Sequence, residues 1–300
     1  GGERRVMGEK TVISVDTAGG DKGAAVVLNG LAESARKNPD IAFILHGDEA
    51  VLNKLLRRRK ALRDVSEVRH AEKVISMDDK PSVVLRRSAG TSMMNALECV
   101  AKNEAHVAVS CGNTGALMAL SMLKLRKAPG IDRPAIAVLW PSTSAHGYNI
   151  VLDVGADVRA DDHTMAEFAV MGAEYARLSF DIERPRVGLL NVGSEDNKGR
   201  PGIRKSSQLV AEIAPKAGDL EYVGFVEGAD IVGDKVDVIV TDGFTGNIAL
   251  KTAEGTATFI SNSLKAAFTK TPLSRIAAFI AYTSLRRLQE RIDPRRVNGG

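Results

Sequence analysis

The sequence has little cysteine. Cys99 and Cys111 are the only two in 300 residues. Two thiols cannot build a disulfide framework, and a reducing compartment is the simpler expectation. No apolar run approaches the roughly 20 residues of a membrane-spanning helix. The start, Gly1-Gly2-Glu3-Arg4-Arg5, lacks the hydrophobic stretch of a signal peptide and an initiator Met, so the natural N-terminus is expected to lie upstream. Neither charge sign dominates: 41 Lys+Arg face 37 Asp+Glu, for a net +4. That total is too mild to imply nucleic acid as a partner. Walker A, G-x-G-x-x-G, G-x-S-x-G and H-E-x-x-H motifs are all missing. His163 and Glu167, four apart on an expected helix, form the best metal-like pair. A zinc site usually needs three or four ligands, so the pair reads as a surface contact.

The composition is that of an ordinary globular protein, with 44% hydrophobic and 26% charged residues. The charge is unevenly spread. Residues 261–300 carry eight basic side chains and two acidic ones, a local +6, and the preceding 260 residues sum to −2. Short β-branched runs recur at Thr11–Val15, Ile41–Leu45, His106–Ser110, Ala135–Leu139, Asn149–Asp153, Arg186–Val192, Glu221–Val226 and Val236–Thr241. Amphipathic stretches alternate with them at Ala24–Lys37, Ser92–Lys102, Gly115–Leu125, Asp162–Leu178 and Gly246–Phe268. Near-continuous apolar strands between helices predict βαβ units and a mostly parallel, three-layer α/β/α sandwich. No long linker interrupts residues 1–300, which are expected to form a single catalytic domain. The softest points are Ala128–Pro134, Pro141–Gly147 and Asn197–Gly202. Over residues 259–292, apolar side chains at helical spacing, basic neighbours and a break at Pro272 predict an amphipathic helical hairpin.

Small polar, glycine-containing loops follow several expected strands. They are Asp16–Asp21, Ser110–Gly115, Asp153–Asp157, Asn191–Gly199 and Thr241–Asn247. Loops at the carboxyl edge of a parallel sheet are where ligands bind. Glycine lets backbone N–H groups approach an anion, and a following helix N-terminus favours negative charge. Asn, Thr and Ser add neutral donors, and Lys198 adds a cation. Together the loops point to phosphate or another oxyanion, although each alone could simply supply turns and caps. Arg86-Arg87, behind Met77–Ser82, suits an anion or a plain helix surface equally well. Cys111 has no histidine nearby in sequence and reads as a small buried residue rather than a nucleophile.

With these loops in view, the chain closely resembles the PlsX family, the bacterial phosphate acyltransferases, from about Val12 to Gly300. The most specific stretches are SCGNTGALMAL at Ser110–Leu120, PGIDRP at Pro129–Pro134, GLLNVGSEDNKG at Gly188–Gly199, GFVEGAD at Gly224–Asp230 and DVIVTDGFTGNIALKTAEG at Asp237–Gly255. The resemblance implies a fold akin to phosphotransacetylase and the isocitrate/isopropylmalate dehydrogenases. It implies transfer of a long-chain fatty acyl group from the thioester of acyl carrier protein to inorganic phosphate, giving an acyl phosphate for phospholipid synthesis. It also implies a homodimer, a cytoplasmic location against the inner membrane face, and no metal or organic cofactor. The sequence departs from the family at Thr17-Ala18, where D-A-M-G-G-D is usual, at Cys111, commonly Ala, and in a less basic Arg86–Met93. It stops at Asn298-Gly299-Gly300, where the family usually continues, so either the chain is truncated there or its end is left out.

The resemblance assigns roles residue by residue. In N-x-G-x-E-x-x-K-G, here Asn191, Gly193, Glu195, Lys198 and Gly199, it places Lys198 at the developing oxyanion or the phosphate. Asn247 closes the motif opened by Asp242 and Gly243 and is expected to be a neutral donor at the same centre. Asn113, Thr114 and Gly115 are expected to bind phosphate, and Gly19, Gly20 and Asp21 to line the same cleft. Three uses stand open for the hairpin: an anionic membrane surface, an acidic acyl carrier protein, or a dimer interface. Lys270, Arg275, Phe279, Arg286 and Arg287 are the expected membrane or carrier contacts. A phosphotransacetylase-like enzyme using acyl-CoA and a non-enzymatic membrane scaffold are the competing functions.

Overall fold

The computed structural model describes residues 10–20 and 23–292. The chain divides into two compact units at Ala128/Pro129, inside the Gly/Pro cluster that reads as a soft point in the sequence. Each unit has its own sheet, a division that strand–helix alternation alone does not reveal.

The first unit holds β1 (Thr11–Asp16), α1 (Gly23–Lys37), β2 (Ile41–Gly47), α2 (Glu49–Leu56), α3 (Lys60–Arg63), β3 (Ser66–His70), α4 (Pro81–Arg87), α5 (Ser92–Ala101), β4 (Val107–Ser110) and α6 (Thr114–Leu125). Its strands run parallel in the order β3-β2-β1-β4. One face of the sheet is covered by a cluster of Val15, Leu28, Phe43, Leu45, Leu52, Leu56 and Leu62. A second cluster places Met93, Met94 and Leu97 of α5 against Ala116 and Leu120 of α6. Helix starts are set by side-chain caps: Asp48 accepts from Val51 N, Thr91 from Met94 N and Asn113 from Ala116 N. The sequence reading passes over β3, a polar edge strand without an apolar run, whose place is set by pairing with β2.

The second unit holds β5 (Ala137–Pro141), β6 (Tyr148–Leu152), α7 (Asp162–Phe180), β7 (Arg186–Leu190), α8 (Pro201–Ile213), β8 (Glu221–Val226), a short 3-10 turn (Gly228–Val232), β9 (Val238–Val240), α9 (Gly243–Thr269) and α10 (Pro272–Ile292). The strand order is β5-β6-β9-β7-β8. All pairs are parallel except β5 with β6, which form an antiparallel hairpin around the soft point at Pro141–Gly147. The buried stripe of α7, Met165, Phe168, Ala169, Ala173 and Ala176, packs with Leu152, Leu189, Val238 and Val240 of the sheet. Its alanines let the helix sit close to the strands.

The expected hairpin forms, with α9 ending at Thr269 and α10 starting at Pro272. Helix α9 is longer than the hairpin reading implies, running without a break from Gly243. Among the described residues, no helix is long and apolar enough to cross a membrane.

Candidate active site

In the first unit the chain winds outward from β1 to β2 to β3, then returns to place β4 on the other side of β1. The strand order therefore reverses between β1 and β4, the switch point at whose carboxyl edge such sheets bind ligands. Asp16 and Ser110 end the two strands and are register partners. Ser110 Oγ donates to the buried Asp16 Oδ2 at 2.7 Å and accepts from Gly112 N at 3.0 Å, and Ala18 N donates to Asp16 Oδ1 at 3.2 Å. This network pulls the two glycine loops into backbone contact. A Cβ on Gly112 would lie 2.6 Å from Gly19 O, and one on Gly19 would lie 2.3 Å from Asp16 Oδ2. Nothing larger than glycine fits at that crossing.

The loop behind is anchored by Thr17, whose buried hydroxyl donates to His46 O at 2.7 Å. His46 is buried too, with Nε2 2.9 Å from Ser14 Oγ and, among the described residues, no partner on Nδ1. Burial, then the charge of Arg69, pushes its pKa down to about 4, so the ring is neutral.

In the second unit β9 is inserted between β6 and β7, so the loops after these three strands emerge side by side. The buried Asp153 directly follows β6. Its Oδ1 accepts from Ile136 N, Gly155 N and Ala156 N at 2.9, 3.1 and 2.9 Å, and its Oδ2 accepts from Asp157 N at 2.6 Å. Helix α9 starts directly against this loop. A Cβ on Gly246 would lie 2.0 Å from Asp153 O. Backbone cannot give way there, so glycine is required. Asp242 caps α9, its Oδ1 accepting from Thr245 N at 2.8 Å. Asn247, on the next turn, is exposed and donates through Nδ2 to Val154 O at 3.2 Å.

The loop after β7 is shaped by Asn191, whose Nδ2 donates to Lys198 O at 3.2 Å. Gly193 is buried within it, and Lys198 stands exposed. Among the described residues, no ion pair forms at Lys198. Arg200, two residues on, donates through Nη2 to Asp242 Oδ2 at 2.8 Å.

The structure thus sorts the expected residues into two groups. Gly19, Gly20, Asn113, Thr114 and Gly115 gather at the first sheet's crevice; Asn191, Gly193, Lys198, Asp242, Gly243 and Asn247 gather at the edge of the second. Asp21 lies outside the described residues, as do Arg295, Arg296 and the C-terminal end. The Asn113 side chain is engaged in structure. Its Oδ1 caps α6, and its Nδ2 donates to Met77 O and Asp79 O, both at 2.9 Å. The free donors at this end are therefore the first N–H groups of α6, on Thr114 and Gly115, which have no intrahelical acceptor. Met77–Asp79, a separate polar cluster in the sequence, joins this site through Asn113.

The expectation of a buried Cys111 is corrected. It stands exposed on the loop after β4, and Cys99 is the buried one. Desolvation, then the Asp16 carboxylate, raises the Cys111 pKa, which disfavours a thiolate nucleophile. Glu167 accepts from Asp132 N at 2.9 Å, on the loop before β5. Asp16, Ser110, Asp153 and Arg200 are residues whose roles the sequence reading missed. Each acts through partners far along the chain, and no local spacing signals them.

On the hairpin, Phe279 is 85% exposed, and Leu273, Ile276 and Ile280 are exposed beside it. Arg275 Nε donates to Thr269 O at 3.3 Å across the α9–α10 turn, and Arg286 pairs with Glu290 at 3.0 Å. Lys270 and Arg287 point to solvent. Four large apolar side chains thus stand exposed near the cations of the hairpin.

The family model described as fatty acid synthesis protein matches residues 11–300. A phosphate acyltransferase of Roseobacter denitrificans is 58% identical over 299 residues, covering 100% of this chain and 84% of that protein. One of Dinoroseobacter shibae is 60% identical over 290 residues, covering 97% and 75%. Among solved structures, a phosphotransacetylase of Streptococcus pyogenes superposes with a TM-score of 0.61 at 18% identity, covering 84% of each chain. The EutD phosphotransacetylase of Staphylococcus aureus gives 0.59 at 18% identity, covering 85% of this chain and 84% of its own. At that identity the likeness establishes the fold alone.

Proposed function

The chain belongs to the PlsX family of phosphate acyltransferases, and on that premise we propose that its acyl donor is a long-chain acyl carrier protein thioester. The chain is an acyltransferase that moves an acyl group to phosphate. The observation that carries the reading is the match to phosphate acyltransferases over nearly the whole chain, with the polar loops intact at the carboxyl ends of both sheets.

In the proposed mechanism a phosphate oxygen attacks the thioester carbonyl carbon. The new O–C bond pushes the carbonyl pair onto oxygen. Collapse of that oxyanion breaks the C–S bond, and the thiolate leaves with the bonding pair. Phosphate is already anionic, so no general base is needed. Positioning and preorganised donors supply the acceleration. Lys198, exposed and without an ion pair among the described residues, meets the developing oxyanion or the phosphate. Asn247 adds a neutral donor, and Gly243, where a Cβ would lie 2.6 Å from Asp153 Oδ2, lets the start of α9 seat against the loop after β6. Thr114 and Gly115 offer backbone N–H groups to phosphate, with Gly19, Gly20 and Asp21 on the neighbouring loop. Asn113, Asn191, Gly193 and Asp242 shape the loops that carry these donors.

We assign residues of both units to this one catalytic function, in a cytoplasmic homodimer. Lys270, Arg275, Phe279, Arg286 and Arg287 are assigned to contact with the inner membrane face or the acidic carrier protein. The deciding assay offers palmitoyl-acyl carrier protein and acetyl-CoA in parallel with phosphate and follows acyl phosphate. Acyl phosphate from the carrier thioester alone is the expected result. Turnover of acetyl-CoA alone would make the enzyme phosphotransacetylase-like, and none with either donor would favour a scaffold.

A further inference from the structure

Lys198 stands on the loop after β7, and Asn247 on the first turns of α9, which begins just after β9. Strands β7 and β9 are paired only through Val187–Leu189 and Val238–Val240. Beyond that ladder the Lys198 loop and the start of α9 must be held together by something else.

The loop of residues 192–200 has few fastenings. Asn191 Nδ2 to Lys198 O, Lys198 N to Glu195 O at 3.0 Å and Arg204 Nη1 to Asn197 O at 3.3 Å all close the loop on itself or on α8. Among the described residues, one side-chain bond ties it to the start of α9: Arg200 Nη2 to Asp242 Oδ2 at 2.8 Å. Asp242 is well suited to receive it. Its Oδ1 is held by Thr245 N at 2.8 Å, and the Thr245 hydroxyl contacts both oxygens at 3.0 Å. The carboxylate is thus fixed to the helix that carries Asn247.

We propose that Arg200 is a positioning residue, a latch that fastens the Lys198 loop onto the first turn of α9 so that Lys198 and Asn247 act in register. The proposal rests on the roles given to those two residues above. Arg200 is assigned contact with neither substrate nor reacting atoms. Its side chain is 79% exposed, and an exposed pair adds little to global stability. Removing it should therefore leave the fold intact while loosening the loop, which separates a positioning role from a structural one. A planar fork also holds direction as well as charge, which lysine cannot reproduce fully.

The test uses the full chain and four variants: Arg200→Ala, Arg200→Lys, Asp242→Asn, and Arg200→Ala with Asp242→Asn. Asn caps a helix as well as Asp does, so Asp242→Asn removes the charge and keeps the start of α9. Steady-state acyl transfer to phosphate should show kcat lowered about 10-fold or more in Arg200→Ala, with KM for phosphate changed less than kcat and the urea midpoint unmoved. Arg200→Lys should recover part of the loss. The double variant should be no slower than the slower single variant, since both remove one latch. Amide hydrogen exchange over residues 192–200 should quicken in Arg200→Ala while α7 stays protected. Exchange reads the latch without reference to activity, so an inactive wild type with quickened exchange would sink the catalytic roles and keep the latch. Unchanged exchange would overturn it. So would a kcat within two-fold of wild type in Arg200→Ala, or single losses that multiply in the double variant.

Discussion

Asp153 offers the sharpest test of how the second unit is built. Its carboxylate is fully buried and accepts four backbone N–H bonds of 2.6–3.1 Å, from residues 136, 155, 156 and 157. Replacing it with Ala leaves those donors facing a void. An unmade buried hydrogen bond costs about 1–3 kcal/mol, more beside a charge. Water entering the gap recovers part of this, so Asp153→Ala should cost about 3–5 kcal/mol, the upper end for one substitution. Asp153→Asn keeps an oxygen for three of the donors and turns an NH2 group against Asp157 N–H. One opposed donor pair should cost about 1–3 kcal/mol.

Trp140 makes this measurable. It is the chain's single tryptophan, and it is buried in the same cluster as Val154. Its fluorescence during urea unfolding therefore reports on this unit. The expected order of midpoints is wild type, then Asp153→Asn, then Asp153→Ala. An Ala variant that unfolds with the wild type would refute the claim that the carboxylate holds this loop. Equal losses in Asn and Ala would show that only the charge matters, not the count of acceptors.

Three further outcomes follow from the same geometry. Lys198→Ala and Asn247→Ala should each lower kcat by about 10²–10³, the usual loss for one oxyanion donor, with unchanged circular dichroism; near wild-type turnover in both would refute their assignment. His46, neutral with a pKa pushed down to about 4, makes the folded state bind its proton later than the unfolded chain, whose histidine titrates near 6.5. The stabilisation is full above about pH 6.5 and is lost as pH falls toward 4, about 3 kcal/mol in all. Urea midpoints by circular dichroism should lose that pH slope in His46→Asn, and an identical slope would mean another group titrates. Flotation with anionic liposomes should carry the wild type and not Phe279→Glu, whose parent side chain is 85% exposed; a wild type that stays behind removes the membrane role.

Much of the architecture is legible in the sequence because its signals are local. Near-continuous apolar runs such as Val236–Thr241 mark strands buried on both faces, and eight runs read this way all contain or overlap observed strands. The polar loops are legible because glycine and a capping side chain announce the turn from strand to helix, as at Asp242-Gly243 and Asn113-Thr114. The networks behind those loops are not. Asp16 meets Ser110 across 94 residues, and Arg200 meets Asp242 across 42. Such pairs have no period and no spacing, so only folding reveals them.

The sequence by itself determined the alternation of strands and helices, the five candidate loops, the basic hairpin and, through its long motifs, the family. These depend on short-range propensity and on residue order, which the chain carries directly. Tertiary structure alone decided that the strands divide between two sheets and that β9 lies between β6 and β7. It alone turned Asn113 into a clamp on Met77–Asp79 rather than a free donor, left Cys111 exposed, and joined Arg200 to Asp242. The physical reason is common to all of them: which polar atoms are satisfied depends on neighbours brought together by packing, and packing is a property of the whole fold rather than of any segment.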